Sequence, residues 1–274
     1  MKAVILAAGR GTRLDQGSVV PLPKILLEVG GVSLLEWHYR RLLSVGLEEV
    51  TVIVGYESGL VCGMIERLNS RYACQGDTVF NANFASGSVV SMNVAVEKIQ
   101  ETAEGILLID GDVLYPSAML RRLIDSPHES CLLIDRLVDV EDPEPVLVPL
   151  RRGKPIDFVK GWSGSADFIG ESIGFFKVRP RDREWLVSAA AILAQNCPGE
   201  PYEEVIRSLV KLGRLGCEDV TGMPWIEIDF ASDLKMAREQ IVFAVQTYES
   251  IGLPEEESKA KQDVFDVEVG HSIH

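Results

Sequence analysis

Cysteine is scarce in this sequence and long apolar runs are missing, and both absences exclude classes of protein. The chain has five cysteines, an odd number, and no two have the CxxC spacing of a zinc site or a redox pair. This pattern predicts reduced, mostly packed thiols rather than a disulfide framework. No run of about eighteen apolar residues is present, which argues against a membrane span. The N-terminus shows no cleavable export signal, and we therefore expect a cytoplasmic protein without a membrane partner.

Basic residues are outnumbered by acidic ones, 27 against 41, which gives a formal net charge of −14. Because no basic stripe is available to meet a phosphate backbone, we expect no nucleic-acid partner. The 274 residues, of which 46% are hydrophobic, suffice for one large domain, with or without a small appendage. The composition does not distinguish a monomer from a homodimer.

The N-terminal segment joins an apolar strand to a loop rich in glycine and arginine. Its residues 7–14 read Ala7-Ala8-Gly9-Arg10-Gly11-Thr12-Arg13-Leu14. Glycines let backbone amides approach an anion, and arginines supply forked donors that suit phosphate. The loop is neither a Walker A loop nor Gly-x-Gly-x-x-Gly, because Arg13 stands where the third glycine would be. A tight turn with two solvated arginines is the alternative interpretation.

The following residues alternate between helix and strand patterns. Apolar residues recur at helical spacing over 33–43 and 58–68, and a buried strand is predicted at 49–54. This alternation predicts βαβ units and a parallel sheet. His38 lies in the first helix, where we expect a surface or packing role rather than catalysis.

Residues 78–93 predict a short strand, a polar turn and a helix. The turn contains Asn81 and Asn83, and Ser86-Gly87-Ser88 opens the helix. Backbone amides at a helix N-terminus suit an anion or the polar edge of a base. Ordinary N-capping by Ser86 or Ser88 explains the same residues equally well.

The apolar run 106–109 is followed at its carboxyl end by two carboxylates, Asp110 and Asp112. In open α/β sheets this end is where ligands bind. Two acids held beside a phosphate repel each other unless a hard cation lies between them. An Asp-rich turn is the alternative.

Two later segments carry further polar candidates. Residues 140–164 contain four prolines and a basic cluster, which predicts hairpins outside the main parallel core, a lid or insertion that carries specificity. Residues 225–229 alternate apolar and acidic side chains, as an edge strand with solvent-facing acids also would. The acidic tail ends in His271-Ser272-Ile273-His274, and we expect it to be flexible or to dock.

Taken in order, the loop with Pro23-Lys24 beyond it, the Asp-x-Asp strand end and the Trp-x-Glu-x-Asp segment resemble one family. It comprises the nucleotidyltransferases of glycosyltransferase-A-like fold, including sugar-1-phosphate nucleotidylyltransferases and cytidylyltransferases such as the phosphocholine enzyme. The resemblance implies an α/β, Rossmann-like three-layer α/β/α fold with a mixed, mostly parallel sheet. It places the nucleotidyltransferase domain at 1–240, a β-hairpin insertion over the acceptor site at about 140–165, and a C-terminal helix end and acidic tail at 241–274.

The resemblance also assigns the site residues. Lys24 and Arg13 become the catalytic cations, Asp112 and Asp229 the ligands of Mg²⁺, and Glu227 a supporting acid. The nucleotide-binding candidates are Leu6, Ala7, Ala8, Gly9, Gly11, Thr12, Asn83, Ser86, Gly87 and Asp110. The acceptor-binding candidates are Lys160, Trp162 and Glu171.

The small polar residues of the base-contacting segment favour the cytidylyltransferases over the sugar enzymes. The implied reaction is Mg²⁺-dependent transfer of CMP from CTP to a small phosphorylated alcohol or phosphonate, with release of pyrophosphate. Trp162 suits a quaternary ammonium on that acceptor, whereas the nearby cations favour extra negative charge. Two alternatives remain, a sugar-1-phosphate nucleotidylyltransferase using UTP, dTTP or GTP and a non-catalytic nucleotide-binding module. The identity of the acceptor does not follow from the sequence.

Overall fold

The computed structural model describes residues 1–14, 22–99 and 105–251. The strands are β1 (Lys2–Ala7), β2 (Glu28–Val29), β3 (Val32–Ser33), β4 (Glu49–Val54), β5 (Gln75–Phe80), β6 (Ile106–Asp110), β7 (Val113–Leu114), β8 (Cys131–Asp135), β9 (Val146–Arg151), β10 (Lys154–Pro155), β11 (Val159–Lys160), β12 (Phe168–Val178), β13 (Gly216–Asp219) and β14 (Ile226–Glu227). The α-helices are α1 (Leu34–Ser44), α2 (Ser58–Tyr72), α3 (Ser88–Ile99), α4 (Ser117–Asp125), α5 (Pro180–Asn196), α6 (Glu203–Lys211), α7 (Ala231–Met236) and α8 (Val242–Ile251).

The central sheet of the described residues is parallel around β1 and antiparallel around β12, and β13 adds a parallel pair with β8. Strand β1 lies between β4 and β6 and is parallel to both, and β4 is parallel to β5. Strand β12 then pairs antiparallel with β6, β8 and β9. Because helices cover both faces, β1 is apolar throughout its centre, and Ala3, Val4 and Ile5 are completely buried.

Two hydrophobic cores, one on each face of the sheet, give the three-layer arrangement. Apolar residues of α1, α2 and α4 pack on one face, and those of α3, α5 and α6 pack on the other. The predicted α/β/α fold with a mixed sheet is therefore confirmed. All five cysteines are free, and only Cys197 is exposed.

The segment 140–165 is joined to the main sheet rather than standing apart from it. Strand β9 forms hairpins with β10 and β11 and also pairs along β12. Its side chains Leu147, Val148 and Leu150 are buried, which explains why the strand is incorporated. The hairpins lie outside the parallel part of the sheet and extend it at its antiparallel edge.

The helix α8 packs on the domain instead of leaving it. Val242 and Val245 are buried in a third small core that includes Trp37, and Glu249 accepts hydrogen bonds from Ser117. The predicted boundary at residue 240 is therefore not a structural one, since residues 241–251 belong to the domain. The predicted acidic tail, with His271 and His274, lies outside the described residues.

One buried ion-pair cluster ties α5 to the sheet and predicts a measurable effect on stability. Asp182 is fully buried and accepts hydrogen bonds from Ser130 (2.7 Å), Arg179 (2.5 Å) and Arg214 (2.8 Å). We expect Asp182→Ala to lower the free energy of unfolding by about 3 kcal/mol, because two arginines lose a buried partner. Urea denaturation measures this, with exposed Asp77→Ala as a control expected to change it by less than about 0.5 kcal/mol.

The same carboxylate sets a pH dependence. Burial opposes ionisation of Asp182, but the hydrogen bonds from Ser130, Arg179 and Arg214 outweigh it and hold its pKa below the ordinary 3.8. A lowered folded-state pKa stabilises the protein above the unfolded-state pKa, and this contribution is lost as the pH falls below it. The stability difference between wild type and Asp182→Ala should therefore shrink below about pH 4. An undiminished difference at lower pH would contradict this assignment.

Candidate active site

The loop after β1 forms one wall of a cavity at the carboxyl end of the parallel strands. The amide of Gly111 donates to the carbonyl of Leu6 (3.0 Å), which joins the ends of β1 and β6. Gly11 has φ +65°, and a Cβ there would lie 2.9 Å from Cγ of Lys24, so the glycine permits the lysine stem to cross the loop. The cavity of about 210 Å³ is lined by Leu6, Ala7, Gly9, Gly11, Thr12, Arg13, Lys24, Ile25, Gly111 and Asp112.

Most of the predicted phosphate-loop residues thus meet in one place. Ala8 is the exception, since it is buried in the core against α3 and contributes its carbonyl to the amide of Tyr56 (3.1 Å). Ala8 therefore contacts the second loop at this sheet edge rather than the cavity.

Lys24 lies at the centre of the site, between two predicted metal ligands. It begins a short 3₁₀ turn after Pro23, and its Nζ donates to Oδ2 of Asp112 (2.9 Å) and to Oδ1 of Asp229. Burial alone would lower the pKa of Lys24, but the two carboxylates outweigh it and raise the pKa above its usual value. Lys24 is therefore protonated at every physiological pH.

Arg13 is the second cation of the site. Its Nη1 lies 3.0 Å from Oδ2 of Asp229 and 2.8 Å from Oε2 of Glu144. Glu144 also lies 3.7 Å from Nζ of Lys160, so it joins the loop to the hairpin segment. No sequence motif marked Glu144, because it lies among several acids and prolines that share the same pattern.

Three carboxylates converge opposite the loop. Strand β14 pairs with β7, and the amide of Ile228 donates to the carbonyl of Asp112 (3.0 Å). One oxygen each of Asp112, Glu227 and Asp229 lie within 4.8 Å of one another. Carboxylate oxygens at this spacing fit a hard divalent cation such as Mg²⁺.

Glu227 faces the same cleft as the two aspartates. Its side chain is partly open to solvent, yet partial desolvation of the carboxyl group and the nearby charges of Asp112 and Asp229 raise the pKa of Glu227 above its ordinary value. The supporting role predicted for Glu227 is compatible with this geometry.

Asp110 is held apart from the three converging carboxylates. Tyr202, on the turn before α6, donates its hydroxyl to Oδ2 of Asp110 (2.6 Å), and Gly174 (φ +76°) leaves the space that the carboxylate fills. Burial and the charge of Asp112 raise the pKa of Asp110 well above its ordinary value. No sequence motif marked Tyr202, which reaches Asp110 only through the packing of α6.

His38 is completely buried behind the same strand end, which rules out the surface position allowed for it. Its ring nitrogens lie 3.1 Å from the Tyr115 hydroxyl and 3.2 Å from the carbonyl of Gly111. Burial lowers the pKa of His38 to about 4. The neutral imidazole therefore contacts the backbone of Gly111, between Asp110 and Asp112. This is the packing role that was also predicted for His38.

The predicted base-contacting turn lies beside the phosphate loop and outside the cavity lining. The amide of Asn83 donates to Oδ1 of the buried Asn81 (2.9 Å), and the amide of Ser86 donates to the carbonyl of Asn83 (3.0 Å). Gly87 lies against the carbonyl of Pro198, in the loop between α5 and α6. Oγ of Ser88 accepts from the amide of Tyr202 (2.8 Å). The turn is thus fixed by its neighbours.

Of the predicted acceptor residues, Lys160 ends β11, Glu171 lies in β12, and Trp162 lies between these two strands. Glu171 stands opposite Asp135 in the register of β12 and β8. Burial, reinforced by Asp135 and Asp142, raises the pKa of Glu171 to about 7. The indole N–H of Trp162 is buried and makes no hydrogen bond to any described residue. Sequence reasoning missed Asp135 and Asp142, because only strand pairing and loop packing bring them to Glu171.

A glycine-rich loop with two cations thus faces three carboxylates across the carboxyl end of the α/β sheet, as expected for the predicted nucleotidyltransferase site. The family model of the MobA-like NTP transferase domain matches residues 3–169. The chain belongs to this family, and the predicted enzyme class is confirmed.

Relatives with known activities are similar over most of the chain. The bifunctional IPC transferase and DIPP synthase of Rubrobacter xylanophilus is 26% identical over 88% of this chain and 52% of its own. The CTP:phosphoglutamine cytidylyltransferase of Campylobacter jejuni is 22% identical over 88% of this chain and 100% of its own. The chain spans about half the length of the bifunctional relatives it matches.

A solved structure shows the same fold. The inositol-1-phosphate CTP transferase from T. maritima superposes with a TM-score of 0.71 at 19% identity, over 92% of this chain and 97% of that one.

None of the helices among the described residues has the length and hydrophobicity of a transmembrane span.

Proposed function

We propose that this protein is a Mg²⁺-dependent cytidylyltransferase that transfers CMP from CTP to a small phosphate or phosphonate and releases pyrophosphate. One observation carries the proposal: the ammonium of Lys24 meets the carboxylates of Asp112 and Asp229 at the mouth of the phosphate loop. A cation beside two carboxylates that can hold a metal would align a triphosphate here and neutralise its charge. Catalysis of phosphoryl transfer requires these two effects above all.

In the proposed reaction an oxygen of the acceptor attacks the α-phosphorus of CTP. The new P–O bond forms as the bond from the α-phosphorus to the bridging oxygen breaks, and that oxygen leaves on pyrophosphate. A phosphate monoester has a second pKa of about 6 and is largely ionised near neutral pH. The attack therefore needs no general base, and His38, buried behind Gly111, is left to its structural role.

The chain's own residues divide the remaining work. Asp112 and Asp229, with Glu227, would hold the Mg²⁺. The ion would neutralise charge on the phosphate oxygens. Amides of the glycine loop would bind the phosphates, and Lys24 and Arg13 would stabilise the charge that develops on the leaving pyrophosphate. Asp110, held by Tyr202, stays a nucleotide-binding candidate at the edge of this site.

Selection of CTP is supported by the relatives and by the turn after β5. The Campylobacter relative and the solved Thermotoga structure both carry CTP in their names. Asn83, Ser86 and Gly87 are the proposed base contacts, because Phe84 of their turn lies against Gly55 in the loop after β4. That loop in turn contacts the carbonyl of Ala8 in the phosphate loop. Small polar groups there would read the edge of a pyrimidine.

At the acceptor end, the described charges favour an acceptor that carries an amino or ammonium group. Lys160 is compensated by Glu144, whereas no cation among the described residues forms an ion pair with Glu171. The carboxylates of Asp135 and Asp142 add negative charge around Glu171. With Trp162 nearby in sequence as a cation–π surface, this end of the site would bind a positive group and leave the acceptor phosphate to the metal and Lys24.

The test is release of pyrophosphate from each of the four ribonucleoside triphosphates and dTTP, with Mg²⁺ and a panel of acceptors. Three acceptors of the panel carry an amino or ammonium group: phosphocholine, phosphoethanolamine and 2-aminoethylphosphonate. Three do not: glycerol phosphate, inositol phosphate and glucose 1-phosphate. We expect release with CTP and an amino-bearing acceptor. Release only with UTP, dTTP or GTP and a sugar phosphate would make the protein a sugar-1-phosphate nucleotidylyltransferase. Binding of nucleotide without any release would make it a non-catalytic module.

A further inference from the structure

The position of Lys24 has a consequence for the order in which ligands enter. We infer that Lys24 is a built-in cation that occupies the divalent-metal site of the nucleotide-free protein, so that the metal binds there only together with the nucleoside triphosphate. The inference rests on the proposed function, because it concerns the metal site assigned to that reaction.

The geometry makes the lysine and a metal ion alternative occupants. Nζ of Lys24 contacts one oxygen of Asp112 and one of Asp229, and the oxygens of the acidic set lie within 4.8 Å of one another. A metal ion that binds the two oxygens contacted by Nζ would displace the ammonium from them.

Both aspartates already have cationic partners without a metal. Lys24 lies within ion-pair distance of Asp112 and Asp229, and Arg13 lies within ion-pair distance of Asp229 and of Glu144. The side chains of Lys24, Asp112 and Asp229 are only 16%, 22% and 18% exposed, so water screens the pairs that Lys24 makes weakly. A free divalent ion must therefore compete with Lys24 for these carboxylates.

A triphosphate provides the force that moves the lysine. The stem of Lys24 crosses directly over Gly11, and the phosphate cavity is lined by Gly11, Lys24 and Asp112 together. Phosphates in this cavity would compete for the ammonium and for the guanidinium of Arg13. As the cations turn toward the phosphates, the two aspartates are released to the metal. Nucleotide and metal thus favour each other's binding.

The test measures binding of Mn²⁺ to the nucleotide-free protein, by the electron paramagnetic resonance signal of the free ion. We expect Lys24→Met and Lys24→Gln to bind Mn²⁺ about tenfold more tightly than wild type, a coupling of ordinary size between competing ligands. Arg10→Met is the matched control, because it removes a cation from the same loop. The guanidinium of Arg10 lies over the Tyr56 ring, 5.3 Å from its centroid. The Arg10→Met variant should bind Mn²⁺ as wild type does.

Adding Asp229→Asn to Lys24→Met should abolish the gain in Mn²⁺ affinity. That result would place the ion at Asp229. Equal Mn²⁺ affinity in wild type and in folded Lys24 variants would overturn the inference. If the Lys24 variants do not fold, the inference is tested by the melting temperature of the wild-type protein. Mn²⁺ should raise this temperature in the presence of CTP. An equal rise with Mn²⁺ alone would also overturn the inference.

The measurement is independent of turnover. Tighter Mn²⁺ binding by the variants, with no pyrophosphate released by wild type from any nucleotide, would refute the proposed function and leave the inference standing.

Discussion

Replacing Lys24 by alanine is expected to lower turnover at saturating CTP by at least about a hundredfold, the typical loss when one strong electrostatic stabiliser is removed. Lys24 is the cation that contacts both Asp112 and Asp229, and nothing else in the described site replaces its charge at that point. The rate of pyrophosphate release measures the loss. The matched control is Lys154→Ala, which removes an exposed lysine of β10 and should keep the wild-type rate.

The kinetic constants show what Lys24 does. If the ammonium acts mainly on charge that develops during the reaction, kcat falls and KM for CTP changes little. A raised KM with normal kcat would mean that Lys24 only binds the nucleotide. Near-normal values of both constants at saturating Mg²⁺ would refute its assignment as a catalytic residue.

Replacing Asp112 by alanine is expected to lower turnover by at least about a hundredfold as well. The carboxylate is one of three that converge at the proposed metal site, and its loss leaves the cation short of a ligand and the phosphates less well neutralised. The variant should remain folded, because Lys24 keeps Asp229 as a partner. Circular dichroism checks the fold, and pyrophosphate release checks the rate.

Exposed Asp125, at the end of α4, is the control for the loss of a carboxylate. Asp125→Ala should turn over at the wild-type rate. If excess Mg²⁺ restores the rate of Asp112→Ala, Asp112 contributes to metal affinity alone. If Asp112→Ala is fully active at low Mg²⁺, the metal site lies elsewhere.

Local patterns in the sequence were enough to predict the fold class and the strands and loops that carry the site. The run Lys2–Ala7 is apolar on both faces because it is buried between two layers of helices, and the spacing alone revealed this. Asp112 and the glycine loop follow directly from the ends of such strands. The family model and the sheet confirm these predictions, whereas the roles of the individual site residues remain predictions.

The sequence was less informative where the partner of a residue is distant in the chain. The prolines of 140–165 indicated hairpins outside the main parallel core, but not that β9 pairs with β12. Helical spacing left both a surface and a packing role open for His38, and only the structure shows that its ring contacts Tyr115 and Gly111.

The sequence by itself determined the alternating strands and helices, the phosphate loop and the acids at strand ends, because each depends on neighbours within a few residues. Only the tertiary structure decided that Lys24 meets Asp112 and Asp229, that Glu144 joins Arg13 to Lys160, and that Tyr202 holds Asp110. These contacts join distant segments. They depend on strand register and helix packing, which fix the positions of side chains in space and which no local periodicity records.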